Sequence, residues 1–130
     1  MKTFPYIYRG NGYYPIIEVT LFHGTNIFRT DALIDSGANI SVFQGEIAEI
    51  LGINITKGEK RIFQGVGAKV TGYIHNIEIL VGTDRINCRV AFSNEMSTSL
   101  NILGRDNFFK HFLVTFDEHK KNVILQKQSV

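Results

Sequence analysis

The stretch ALIDSGANISVF, residues 32 to 43, runs an apolar strand straight into an acid. Ala32, Leu33 and Ile34 lead to Asp35, and Ser36, Gly37 and Ala38 follow with the smallest side chains available. Apolar character then returns at Ile40, Val42 and Phe43. Taking an ionised carboxylate out of water is costly unless it is paired or hydrogen-bonded. On these residues alone the plainer reading of Asp35 is a turn residue or helix cap, because Asp-Ser-Gly often opens a loop. The wider sequence decides whether the acid has a use.

Outward from this stretch the chain reads as short strands. Residues 3–8 and 13–22 flank a Gly10-Asn11-Gly12 turn, and HGTN at 23–26 is a second turn before the strand entering Asp35. QGEIAEIL at 44–51 has the spacing of a short helix, stopped by Gly52. Strands are expected at 61–63, 68–81 and 86–92, with the glycine-bracketed QGVG at 64–67 as a hairpin tip. LNILGRDNFFKHF, 100–112, starts extended and turns helical after Gly104; 113–117 and 122–127 close the chain as a hairpin. This pattern favours a β-rich barrel or sandwich with two short helices.

The 130 residues are expected to form a single domain, with 44% hydrophobic and 20% charged residues. A net charge of +2 and no basic run longer than Lys120-Lys121 argue against a nucleic-acid partner. Cys88 is the only cysteine, which excludes an internal disulfide framework and suits a reducing compartment. The N-terminal MKTFPYIYRGNGYYP lacks the apolar core and cleavage site of a signal peptide. No stretch approaches the roughly 20 apolar residues of a membrane helix. The expectation is a soluble cytoplasmic protein with no membrane partner.

Among the acids, Asp84 and Asp117 fall in turn signals. Asp31 lies four residues before Asp35, which in a strand puts both on the same face but more than ~13 Å apart, so the two cannot share a site. His23, His75, His111 and His119 form no close-spaced pair, and with one cysteine no metal site is expected. No serine sits in a GxSxG elbow, and Gly65-Val66-Gly67 lacks the Lys-Ser/Thr of a phosphate loop. No cofactor is called for.

Three segments in order now match one pattern. ALIDSGANISVF resembles the Asp-Thr/Ser-Gly-Ala signature of retropepsin-like aspartic proteases. RIFQGVGAKVTGYI, 61–74, resembles their flap hairpin, and NILGRDNFF, 101–109, their hydrophobic-Leu-Gly-Arg-Asp/Asn motif. The likeness spans roughly residues 15–125 and, through PIIEVTL and IAEILGI, resembles the cellular, single-domain prokaryotic branch. It implies a closed, mostly antiparallel acid-protease β-barrel with a flap hairpin and two short helices.

It also implies an aspartic endopeptidase. The chain carries one Asp-Ser-Gly while the mechanism needs two facing carboxylates and a water, so a homodimer would supply the second Asp35 by symmetry. At ~3 Å and an effective dielectric of about 20, two carboxylates repel by about 5.5 kcal/mol, so the pair holds one proton between them. The resemblance assigns Ser36 to cross-subunit hydrogen bonds and Gly37 to the tight turn. Ala38, where pepsin-like enzymes often carry a hydroxyl that can donate to the carboxylate, implies a pH optimum less acidic than pepsin's. Gln64, Gly65, Val66 and Gly67 would form the flap tip and hold an extended peptide by strand addition. Leu33, Asn39, Val66, Leu100 and Ile102 match substrate-facing positions, most of them apolar; Leu33 and Ile102 read equally as core. Gly104, Arg105 and Asp106 would buttress the catalytic loop. Asn39 stands where retroviral enzymes usually have an acid, which leaves Arg105 without that partner. The alternative is a non-catalytic dimeric peptide-binding module, and a further one a precursor whose N-terminal arm is removed by self-cleavage.

Overall fold

The computed structural model describes residues 1–65 and 68–129. The chain is mostly β, with two small helices, consistent with an aspartic protease fold. The strands are β1 (Lys2–Pro5), β2 (Ile7–Arg9), β3 (Gly12–Tyr14), β4 (Ile16–His23), β5 (Asn26–Ile34) and β6 (Ser41–Gln44). After α1 (Gly45–Ile50) and a 3-10 turn (Ile55–Lys57) come β7 (Glu59–Gly65), β8 (Ala68–Val81), β9 (Asp84–Ser93) and β10 (Asn101–Leu103). Helix α2 (Phe108–His111) precedes β11 (Phe112–Asp117) and β12 (Asn122–Lys127).

Seven strands form one sheet in the order β4-β5-β10-β6-β9-β8-β7. The far half of β8 also pairs with β4, from Phe22↔Glu78 to Val19↔Val81, so the hydrogen bonding returns to its start. At 14 residues β8 is long enough to serve two neighbours along one edge: β7 over Ala68–Ile74 and β4 beyond it. The hairpin β7–β8 therefore projects from the ring as a two-stranded ribbon.

Alternation drives the closure. Strand β4 buries Ile17, Val19 and Leu21 and turns Glu18 outward; β8 buries Ile77, Ile79 and Val81. With Phe43, Phe92, Phe108 and Leu103 these side chains make the main core. A second, smaller cluster of Val42, Ile74 and Ala91, flanked by Ile40, Phe63 and Met96, packs beneath the β7–β8 hairpin. Helix α1 ends where Gly52 takes φ +75°, and the Leu51 carbonyl accepts hydrogen bonds from His23 Nδ1 (2.9 Å) and Asn26 Nδ2 (3.0 Å).

The chain ends depart from expectation. Residues 3–8 are not one strand, and neither are 13–22. The first breaks at buried Tyr6, where its backbone N–H donates to the Lys121 carbonyl (2.8 Å) and its hydroxyl to Glu118 Oε2 (2.5 Å). The second breaks at Pro15, which has no N–H to give a ladder. As a result β1 joins a three-stranded sheet β1-β12-β11, while β2 and β3 form a separate hairpin. Asp84 and Asp117, expected in turns, lie at strand ends paired with Val81 and Asn122. Among the described residues no helix is long and apolar enough to cross a membrane.

Candidate active site

Strands β5 and β6 are consecutive in sequence but not in space. Strand β10 lies between them, parallel to β5 (Ile102↔Leu33, Leu103↔Ile34) and antiparallel to β6 (Ile102↔Val42). The connection 35–40 must therefore pass over the end of β10, and Asp35 is its first residue. The two segments are laced together by backbone. Asp35 N–H donates to the Leu103 carbonyl (3.0 Å), Arg105 N–H to Ala38 (2.8 Å) and Asp106 N–H to Asn39 (2.6 Å). Within the loop, Ala38 N–H donates to the Asp35 carbonyl (3.2 Å) and Gly37 N–H to Asp35 Oδ1 (2.9 Å). That last bond compensates part of the cost of a half-buried carboxylate.

Gly104 is fixed by space. A Cβ there would lie 2.6 Å from the Ile40 carbonyl oxygen, 2.7 Å from its carbon and 2.9 Å from the Ala38 oxygen. All three are backbone atoms and cannot swing aside. The Leu-Gly of NILGRD is thus what lets β10 run directly beneath the acid-bearing loop.

Asp35 opens into a cleft of about 430 Å³ lined by Gly37, Ala38, Asn39, Ile40, Val42, Phe63, Gln64 and Ile102. Asp35 is the only charged side chain among these lining residues. Of the residues singled out in the sequence, Asp35, Gly37, Ala38, Asn39, Gln64 and Ile102 meet here. Ser36 is exposed beside them, and among the described residues its hydroxyl makes no hydrogen bond. Gly65 ends β7; Val66 and Gly67 lie outside the described residues. Leu33, half-buried and paired with Ile16 and Ile102, is not among the lining residues, and neither is Leu100. Arg105 is exposed and forms no ion pair among the described residues, whereas Asp106 pairs with Arg89 (3.6 Å).

Sequence reasoning missed Ile40, Val42 and Phe63 as cleft walls. Ala38, Ile40 and Val42 follow one another at the strand period of two, a signal that was readable. Phe63 arrives from β7 and had none. It also missed Asn101, which is buried: its Nδ2 donates to Thr30 Oγ1 (3.1 Å) and the Asp31 carbonyl (3.0 Å), and its Oδ1 accepts Gln44 N–H (2.9 Å). One amide thereby ties β5, β10 and β6 at the end of β10 remote from Asp35.

A second cleft, of about 490 Å³ and lined in part by Thr71 and Tyr73 of β8, carries two acids, Glu49 and Glu95. They come from separate elements, and Glu95 Oε1 is occupied by Thr71 N–H (3.0 Å). The Glu95 backbone N–H donates to Ser93 Oγ (3.1 Å), so Glu95 is held against β8 and β9, while Glu49 lies on helix α1. Among the described residues no group of three or more His, Cys, Asp or Glu is placed to hold a metal ion.

Asp35 is thus a carboxylate at the start of a backbone-laced loop, over a glycine that admits no side chain, on a mostly β fold consistent with an aspartic protease. The family model described as aspartyl protease matches residues 17–107, and the chain belongs to that family, within the retropepsin-like clan. The matched span contains Asp35, the β7–β8 hairpin and the Leu103-Gly104-Arg105-Asp106 segment. The membership supports a protease-type hydrolase function. No curated protein matches the sequence.

Proposed function

We propose that the protein is a homodimeric aspartic endopeptidase in which two copies of Asp35 face each other across a two-fold axis and activate one water. The observation that carries this is the cleft itself, where one carboxylate lies among otherwise uncharged walls. One acid cannot both deprotonate water and hydrogen-bond the scissile carbonyl; two sharing a proton can. The ionised member takes a proton from the water as it attacks the carbonyl carbon, and the protonated member donates to the carbonyl oxygen. Ser36, exposed at the loop's outer side, would hydrogen-bond across the axis and hold the two loops in register. The β7–β8 hairpin acts as the flap of an acid-protease barrel and closes over an extended peptide. Ile40, Val42, Phe63 and Ile102 favour apolar side chains next to the cut bond.

The test is cleavage of an unstructured protein by the native chain and by Asp35→Asn, across pH and enzyme concentration. The native chain is expected to cleave, with specific activity that falls on dilution through the dissociation range, and Asp35→Asn to lose turnover. Equal turnover by both proteins ends the protease reading. Undiminished specific activity through a measured dissociation range ends the shared site. Peptide binding without cleavage by the native dimer would instead identify a binding module.

A further inference from the structure

Ser41 is fully buried, and its Oγ accepts the Gly104 backbone N–H at 2.9 Å. The same peptide group, Leu103–Gly104, accepts the Asp35 N–H through its carbonyl at 3.0 Å. One rigid peptide plane therefore links the two ends of the connection 35–41: its C=O holds the residue that carries the carboxylate, and its N–H is held by Ser41. The remaining cross-links in this ladder, Arg105 to Ala38 and Asp106 to Asn39, are backbone to backbone. Ser41 supplies the side-chain link among them.

We infer that Ser41 is a positioning residue for Asp35, acting through the Leu103–Gly104 peptide. The inference rests on the proposed protease reading for its effect on turnover, but not for its effect on the loop. Without the hydroxyl, Gly104 N–H is a buried donor with no acceptor, and the peptide plane is free to rotate away from it. Rotation would also turn the Leu103 carbonyl off the Asp35 N–H. Asp35 then loses its fixed direction while the cleft walls that bind peptide stay in place.

The experiment compares Ser41→Thr with Ser41→Val in the full-length chain. The two side chains fill nearly the same volume, so their difference reports the hydroxyl whatever the extra methyl does to packing. The first readout is amide hydrogen exchange. Exchange at Asp35 and Gly104 is expected to be about tenfold faster in Ser41→Val than in Ser41→Thr, with Leu21 and Ile79 unchanged. The second is peptide cleavage, with kcat about tenfold lower in Ser41→Val at a KM within about twofold of Ser41→Thr. Equal exchange at Asp35 and Gly104 in the two variants overturns the inference, as does a uniform change across all amides. A native chain that cleaves nothing refutes the protease reading alone, and the exchange comparison still decides the role of Ser41. A change confined to KM would place Ser41 in peptide binding and overturn positioning.

Discussion

Replacing Gly104 with alanine should be among the most damaging single-methyl changes available to this protein. The new Cβ would begin 2.6 Å from the Ile40 oxygen and 2.9 Å from the Ala38 oxygen. Reaching ordinary van der Waals separation requires a shift of about 0.8 Å away from the loop. Such a shift stretches the bonds Arg105 N–H to Ala38 (2.8 Å), Asp106 N–H to Asn39 (2.6 Å) and Gly104 N–H to Ser41 (2.9 Å) to or past the limit of a useful hydrogen bond. Two or three weakened bonds, one of them from the buried Gly104 N–H, cost about 3 kcal/mol together. Against a total stability of order 5–15 kcal/mol this is a large fraction. The assay is thermal unfolding at fixed protein concentration, where about 3 kcal/mol corresponds to a fall of about 12 °C in Tm for a domain of this size. Gly24→Ala is the control: Gly24 has φ +59° and nothing within 4 Å of a Cβ, so only dihedral strain acts there. That strain is worth about 1 kcal/mol, or about 4 °C. If Gly104→Ala melts within about 2 °C of Gly24→Ala, the close approach of β10 to the loop is wrong.

Two other outcomes follow from the interior. Burial pushes the Cys88 thiol up to about 12 from an ordinary 9.0, and burial with the Glu118 hydrogen bond pushes Tyr6 to about 12 from 10.0. Both folded values exceed the unfolded ones, so their stabilisation is complete below pH 9 and is lost as pH rises from there through about 12. Unfolding free energy should fall over that window. Cys88→Ala should flatten its lower part and Tyr6→Phe its upper part, and an unchanged slope in both variants would refute the assignment. Asn101→Leu keeps the volume but leaves the Gln44 N–H without its acceptor. It should cost about 1–3 kcal/mol in denaturant unfolding, and a neutral result would mean another acceptor takes over.

Much of the site was legible in the sequence because its constraints are local. An acid after an apolar strand and the small residues behind it announce a requirement of backbone or burial, whereas the distant Leu-Gly was readable only through its likeness to a family motif. Strand β8 was readable over Ala68–Val81 because alternation persists along it, and β12 over Asn122–Lys127 for the same reason. The chain termini were not legible. The break in 3–8 depends on Tyr6 reaching Glu118, 112 residues away, a contact no short window contains.

The sequence by itself determined the β-rich class and the acid at the head of its loop, with small residues behind it. These depend on periodicity of two, side-chain size and the cost of burying charge, all properties of residues and their near neighbours. Only the tertiary structure decided that β10 inserts between β5 and β6 and that Phe63 walls the cleft. It alone also set the Ser41 hydroxyl beneath the Leu103–Gly104 peptide. Those depend on which distant backbone groups find partners when the sheet closes on itself, and hydrogen-bond pairing across 60 or more residues leaves no local trace.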